Sequence, residues 1–240
     1  HGGGMDLKFP HHENEIAQSC AACGTPFVHV WMHNGFVNID DEKMSKSLGN
    51  FFTVREVLKT LRDPEVLRFF LLSSHYRGPI NYSAAQLAQA DETLAGLYRA
   101  LKGTEAPSTP AGGGALEEFR AAMDDDFNTP DAMAVMQGVA RELNSAKAAG
   151  HAERISAAAG ALLAMGKSLG LLQQNPDAYL KRGHAAAGLS DEEIEALMAA
   201  RREARARKNF RESDRIRDLL AAAGVVLEDK PGGISEWRRA

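Results

Sequence analysis

The stretch Gly103–Gly114, GTEAPSTPAGGG, constrains this chain more than any other. It carries four glycines, two prolines and no large apolar side chain. Neither a helix nor a strand continues through such a composition, so it reads as a flexible linker. The 240 residues must then pack as separate blocks on either side of it. A second loose stretch, Asn175–Gly188, separates a third block.

Between these breaks the start signals are helical. Thr53 and Glu56 frame a capping box, as do Ser83 and Gln86. Asp63-Pro64 supplies an N-cap followed by a proline at the first helical position. Val66, Leu67, Phe70 and Leu71 then share one helical face. Asn128-Thr129-Pro130 opens a helix in an Ala-, Leu- and Met-rich block, about 115–174, that predicts a helix bundle. Asp124, Asp125 and Asp126 precede it and read as a solvated acidic cluster without chemistry. Ser190–Glu193 caps a third block of two helices, about 191–208 and 212–223. The ending GVVLEDKPGGISEWRRA predicts a strand, a turn and a final strand.

The first fifty residues read differently, as α/β. HGGGMDLKFP is glycine-rich, and HHENEIAQSCAACG predicts a helix ended by Gly24. In FVHVWMHNGFVNID, Val28, Val30 and Met32 alternate with His29, Trp31 and His33, a strand pattern. Asn34-Gly35 predicts a hairpin turn between two such runs. No run of 18 apolar residues occurs, so no transmembrane helix is expected, and no signal peptide is visible. The only cysteines, Cys20 and Cys23, make no disulfide framework; they read as two plain thiols and fit a reducing, cytoplasmic setting.

The segment with chemistry is DEKMSKSLGN, Asp41–Asn50. Lys43 and Lys46 are three residues apart, with Ser45 and Ser47 between and after them and Gly49 at the exit. Lysines on such a loop suit a polyphosphate whose charge moves during transfer, and small neighbours let backbone N–H groups approach it. The string KMSKS is similar to the ATP-binding signature of class I aminoacyl-tRNA synthetases. HGGGMDLKFPHHENEIAQS, FFTVREVL, AMDDDFNTPDA and the VLEDKPGG and WRR strings near the end resemble the cysteinyl-tRNA synthetases in particular. The resemblance runs from His1 to Arg239.

That resemblance implies the rear part of a Rossmann-type catalytic domain over residues 1–50 and a stem-contact helical region with its linker over 51–112. It further implies a DALR-like bundle over 113–175 and a small α/β anticodon-binding domain over 189–240. The implied activity is ATP-dependent activation of cysteine to cysteinyl-adenylate, then transfer to tRNA-Cys, with magnesium accompanying the ATP. Lys46 is expected at the pyrophosphate in the transition state, assisted by Lys43. The ATP set is Lys43, Ser45, Lys46 and Ser47 with His1, Gly2, Gly3, Trp31 and His33; His1 and Asp6 are expected at the substrate. The alternative reading of His1 and Asp6 is that they order their loop, and an equal alternative for Trp31 is plain sheet core.

His11 and Glu15 are spaced to share one helical face. The resemblance makes them ligands of a zinc ion, completed by two cysteines from an upstream half that is expected to lie outside this sequence. Zinc would choose cysteine over serine because it binds thiolate strongly and alcohol weakly. The chain alone is accordingly expected to be a fragment without adenylate synthesis, and a monomer.

Net charge is −4, but residues 201–240 carry eleven Lys/Arg against seven Asp/Glu. A basic end on an acidic body fits a polyanion or an ordinary ion-paired surface. The family reading places Arg205, Asp214 and Asp229 at the GCA anticodon, with hydrogen bonds to base edges; Trp237, an aromatic nearby in the sequence, is expected to stack on a base there. Two other readings stand beside the ligase: a non-catalytic tRNA-binding module, and a related cysteine ligase with a small-molecule acceptor.

Overall fold

The computed structural model describes residues 1–39, 42–43, 52–105, 113–182, 189–229 and 235–239. The chain begins with β1 (Gly2–Gly4), a kinked stretch of helical turns to His12, α1 (Glu13–Cys23) and β2 (Met32–Asn34). β1 and β2 pair in parallel, with Gly3 opposite His33, so the segment is a βαβ unit. Gly24 ends α1 at φ 68°, as its position in the sequence predicts.

β3 (Val37–Ile39) pairs antiparallel with β4 (Glu42–Lys43). The chain then forms α2 (Val54–Leu58) and α3 (Pro64–Leu72) and returns as β5 (Ile80–Tyr82), parallel to β3. Both helices start where their caps predict: Thr53 and Glu56 close a full capping box, and the Asp63 carboxylate accepts from Glu65 N.

The predicted hairpin at Asn34-Gly35 does not form. β2 and β3 lie in different sheets, and residues 28–31 are outside any strand. The reason is tertiary. Gly35 N donates to Tyr76 O at 2.7 Å, and a Cβ on Gly35 would lie 2.0 Å from Gly78 O. The bare glycine admits the 75–78 turn against its backbone instead of reversing the chain.

α4 (Ala84–Leu101), α5 (Gly114–Asp124), α6 (Thr129–Ala149), α7 (Ala152–Leu169) and α8 (Pro176–Lys181) follow. They do not pack apart from α3. Val66 and Phe69 of α3, Leu94 of α4, Met136 and Leu143 of α6, and Leu162 and Met165 of α7 belong to one buried cluster. The block boundary expected at 112/113 therefore falls within a single core; residues 106–112 of the expected linker lie outside the described residues. Polar groups run through this core. The Glu65 carboxylate accepts from Tyr98 Oη at 2.7 Å, Leu172 N at 2.6 Å and Gln174 Nε2 at 2.9 Å. Arg62 and Asp91, both buried, pair at 3.2 Å.

The acidic run before α6 is not merely solvated. Asp126, at φ 55°, accepts from Tyr76 Oη at 2.7 Å and pairs with Arg77 Nε at 2.5 Å. It ties the α5–α6 turn to the segment that rests on Gly35.

The last block is α9 (Asp191–Ala206), α10 (Phe210–Ala222), β6 (Val225–Asp229) and β7 (Ser235–Arg239). β6 and β7 are antiparallel, with Leu227 opposite Trp237. Ile194, Met198, Ile216, Leu220, Val225 and Trp237 form its own small core. Among the described residues no helix is long and apolar enough to cross a membrane.

Candidate functional site

Of the predicted site residues, the βαβ unit gathers His1, Trp31 and His33, with Glu15 from the helix. Trp31 enters β2 directly and His33 lies within it; Met32 N donates to His1 O at 2.9 Å, which holds the two chain segments together. The His1 ring lies 5.0 Å from Trp31, and Trp31 stacks parallel to His33 at 5.8 Å. His1 Nε2 meets Glu15 Oε2 at 2.9 Å.

The residue at the centre is one that the sequence reading passed over. His12 is buried, and its Nδ1 lies 2.8 Å from His33 Nε2. Burial, then the charges of Lys8 and His12, hold the His33 imidazole below its ordinary pKa. With His12 Nδ1 as the donor in that bond, its Nε2 keeps a lone pair. His1, His12 and Glu15 each bring one ligand atom into a group whose members all lie within 4.8 Å. His11, expected to partner Glu15, is exposed and outside this group.

The glycines of β1 serve this packing. A Cβ on Gly3 would meet Leu7 Cδ1 at 2.9 Å and the His12 ring at 3.1 Å. A Cβ on Gly4 would meet the Asp6 carboxylate at 2.3 Å. Side chains of this chain thus fill the space above Gly3, where the sequence reading expected a ligand, and above Gly4. Asp6 itself is exposed and folded back onto that backbone.

Lys43 sits in β4, opposite Asn38. Ser45, Lys46 and Ser47 lie outside the described residues. Cys20 and Cys23 are free and exposed.

In the last block, Arg205 is exposed on the final turn of α9, and Asp214 is exposed on α10, where it pairs with Arg217 at 3.2 Å. Asp229 ends β6. Trp237 is a correction: it is 5% exposed, donates from Nε1 to Glu195 at 2.7 Å, and fills the core of its block. A side chain so enclosed offers no open face for base stacking.

Three family models match the chain in succession. They are described as the tRNA synthetases class I (C) catalytic domain over residues 1–92, the DALR domain over 118–173, and the cysteinyl-tRNA ligase anticodon binding domain over 188–238. The catalytic match runs beyond the expected boundary at 50 and takes in β5, the parallel partner of β3. Curated relatives named cysteine–tRNA ligase include those of Alkalilimnicola ehrlichii, 58% identical, Methylococcus capsulatus, 56%, and Cupriavidus taiwanensis, 54%. Each match covers 100% of this chain and 51–52% of the relative, so the chain spans about half their length. A LeuRS chain solved in a ternary complex with tRNA, from Agrobacterium radiobacter K84, shares the fold. Its TM-score is 0.53 at 20% identity, covering 74% of this chain and 26% of that one.

Proposed function

This chain belongs to the family of cysteine–tRNA ligases, of whose length it spans about half, and from that premise we propose that it supplies the rear of the catalytic domain and the tRNA-binding parts of such an enzyme. The observation that carries the reading is the order of modules on one chain: class I catalytic match, DALR match, cysteinyl-tRNA anticodon-binding match. A cysteine ligase with a small-molecule acceptor has no use for the third.

In the proposed reaction the cysteine carboxylate attacks the α-phosphate of ATP, and the terminal ribose hydroxyl of tRNA-Cys then takes the acyl group. ATP enters with magnesium. Lys46 contacts the pyrophosphate as its charge develops and Lys43 assists, so both act on rate more than on ground-state affinity. Ser45 and Ser47 keep that loop small enough for its backbone to approach the phosphates. Trp31, His33 and His1 wall the nucleotide side. Arg205, Asp214 and Asp229 read the anticodon; phosphate contacts from neighbouring arginines add affinity without sequence choice. A cytoplasmic setting belongs to the same reading.

A zinc ion fits the residues present, because two imidazoles and a carboxylate converge within 4.8 Å. Bound there, zinc would take up the substrate thiol as thiolate and pass over serine. Glu15 is common to the pair expected from spacing, His11 with Glu15, and to the group that geometry favours, His1, His12 and Glu15. The half-buried His12–His33 bond orients one imidazole of that group.

The test is amino-acid-dependent pyrophosphate exchange into ATP on the full-length enzyme carrying this chain. Exchange with cysteine, little with serine, and a steep loss in Lys46→Ala are expected. No exchange with cysteine in a folded, zinc-loaded enzyme overturns the ligase reading and leaves the tRNA-binding module.

A further inference from the structure

The bundle and the last block meet at one cation. Lys102, the residue after α4, places its ammonium 2.8 Å from Glu236, 3.3 Å from Glu228 and 3.8 Å from Asp177 of α8. Glu228 lies on β6 and Glu236 on β7, and the two are direct cross-strand partners. Like charges opposed in this way repel and weaken a strand pair. Arg238 reaches Glu228 at 3.2 Å and offsets part of that repulsion from within the block. Lys102 brings further counter-charge from the other side of the junction.

Lys102 is held for that purpose. Lys147 of α6 donates to both Ala100 O and Lys102 O at 2.6 Å, which pins the carbonyl end of α4. The Lys102 side chain is only 18% exposed, in a cleft of about 330 Å³ between the two blocks. Burial works against its charge, but Glu236 and Glu228 hold the ammonium pKa above its ordinary value. A further contact crosses the same junction: Arg239 Nε donates to Lys181 O at 3.0 Å.

We propose that the opposed Glu228–Glu236 pair is a socket for Lys102, and that this latch fixes the angle at which the bundle presents the last block to a tRNA. Lys102 is then a positioning residue for tRNA charging, although it touches neither substrate nor reacting atoms. The tRNA part rests on the ligase reading; the latch as a structural joint does not.

The experiment compares full-length enzyme with Lys102→Met, with Lys102→Arg and with the charge exchange Lys102→Glu/Glu236→Lys. Small-angle scattering reads the joint; steady-state charging reads its use. In Lys102→Met the distance distribution broadens and the KM for tRNA-Cys rises about tenfold, while kcat and pyrophosphate exchange stay within about twofold. The arginine and exchanged variants restore both readouts in large part. A Lys102→Met enzyme with unchanged scattering and unchanged tRNA KM overturns the latch, as does an exchanged pair that restores nothing. Should Lys102→Met fail to fold, Glu236→Gln, at a 36% exposed side chain, tests the same contact and is expected to broaden the distribution. If the parent enzyme charges no tRNA, the ligase reading falls by itself, and scattering of the variants alone decides the latch.

Discussion

Replacing Gly35 by alanine probes the crossing that carries β2, with His33, into β3. The new Cβ would lie 2.0 Å from Gly78 O, 2.4 Å from Gly78 C and 2.9 Å from Pro79 N. All three are backbone atoms, and ordinary contact begins at 3.4 Å, so the two peptides must separate by more than an ångström. That separation breaks the 2.7 Å bond from Gly35 N to Tyr76 O and strains the 2.8 Å bond from Ile80 N to Phe36 O. Overpacking against a backbone costs about 1–3 kcal/mol, and a backbone hydrogen bond about 1 kcal/mol. A loss of about 2–4 kcal/mol is therefore expected in the stability of the α/β part. Gly24→Ala is the control: its φ is 68° and nothing lies within 4 Å of the added carbon, so only the left-handed backbone term of about 1–2 kcal/mol applies. Chemical unfolding followed by Trp31 fluorescence, in a Trp237→Phe background, measures both. Hydrogen exchange at the Gly35 and Ile80 amides should rise in the first variant alone. A Gly35→Ala protein within about 0.5 kcal/mol of its parent would refute the claim that close backbone approach dictates this glycine.

Three further outcomes follow from the same geometry. Glu65→Ala removes the acceptor of three donors in the core. It should cost about 3–5 kcal/mol in urea unfolding, and a loss under about 1 kcal/mol would contradict the buried network. Asp126 has its carboxyl held below the usual range by hydrogen bonds from Arg77 and Tyr76. A depressed folded pKa contributes stability above the unfolded value, near 3.8, and loses it as pH falls through the folded one. Asp126→Asn should thus lower Tm at pH 7 and converge with the parent in strong acid; an equal offset at both pH values would sink that account. Glu15→Ala in the full-length enzyme should lose at least about tenfold in zinc affinity, read by metal analysis after dialysis. His11→Ala and His12→Ala, measured beside it, identify which imidazole shares the ion, and zinc unaltered in the Glu15 variant excludes the site.

What was legible in the sequence was local. Thr53, Asp63, Ser83, Asn128 and Ser190 cap the helices they were expected to cap, because a cap is satisfied within three residues of itself. Asn34-Gly35 misled because two signals coincide there. The same dipeptide that closes hairpins also removes the Cβ that would exclude Gly78, and only tertiary structure shows which use applies. The linker misled for a related reason. Composition shows that a segment cannot pack, but not whether its two flanks pack on each other. Here Leu94 of α4 and Met136 of α6 share one core across it.

The site follows the same rule. Pairing His11 with Glu15 rests on the i, i+4 relation along a helix, which says which residues share a face but not which face is buried. The regular helix begins at Glu13, and the preceding stretch is kinked at Phe9, with φ −136° and ψ 132°. Neighbouring helical positions point about 100° apart, so His12 faces inward to Gly3 and His33 while His11 stands on the exposed side. Gly3 was the available clue, because a glycine inside a strand marks a place where something approaches the backbone closely. In this chain the approaching group is an imidazole. At Trp237 alternation was the decisive signal. Leu227 and Trp237 are direct partners on β6 and β7, and both pack with the small core. Arg205 and Asp214, on exposed helical positions, keep the access to solvent that an anticodon contact requires.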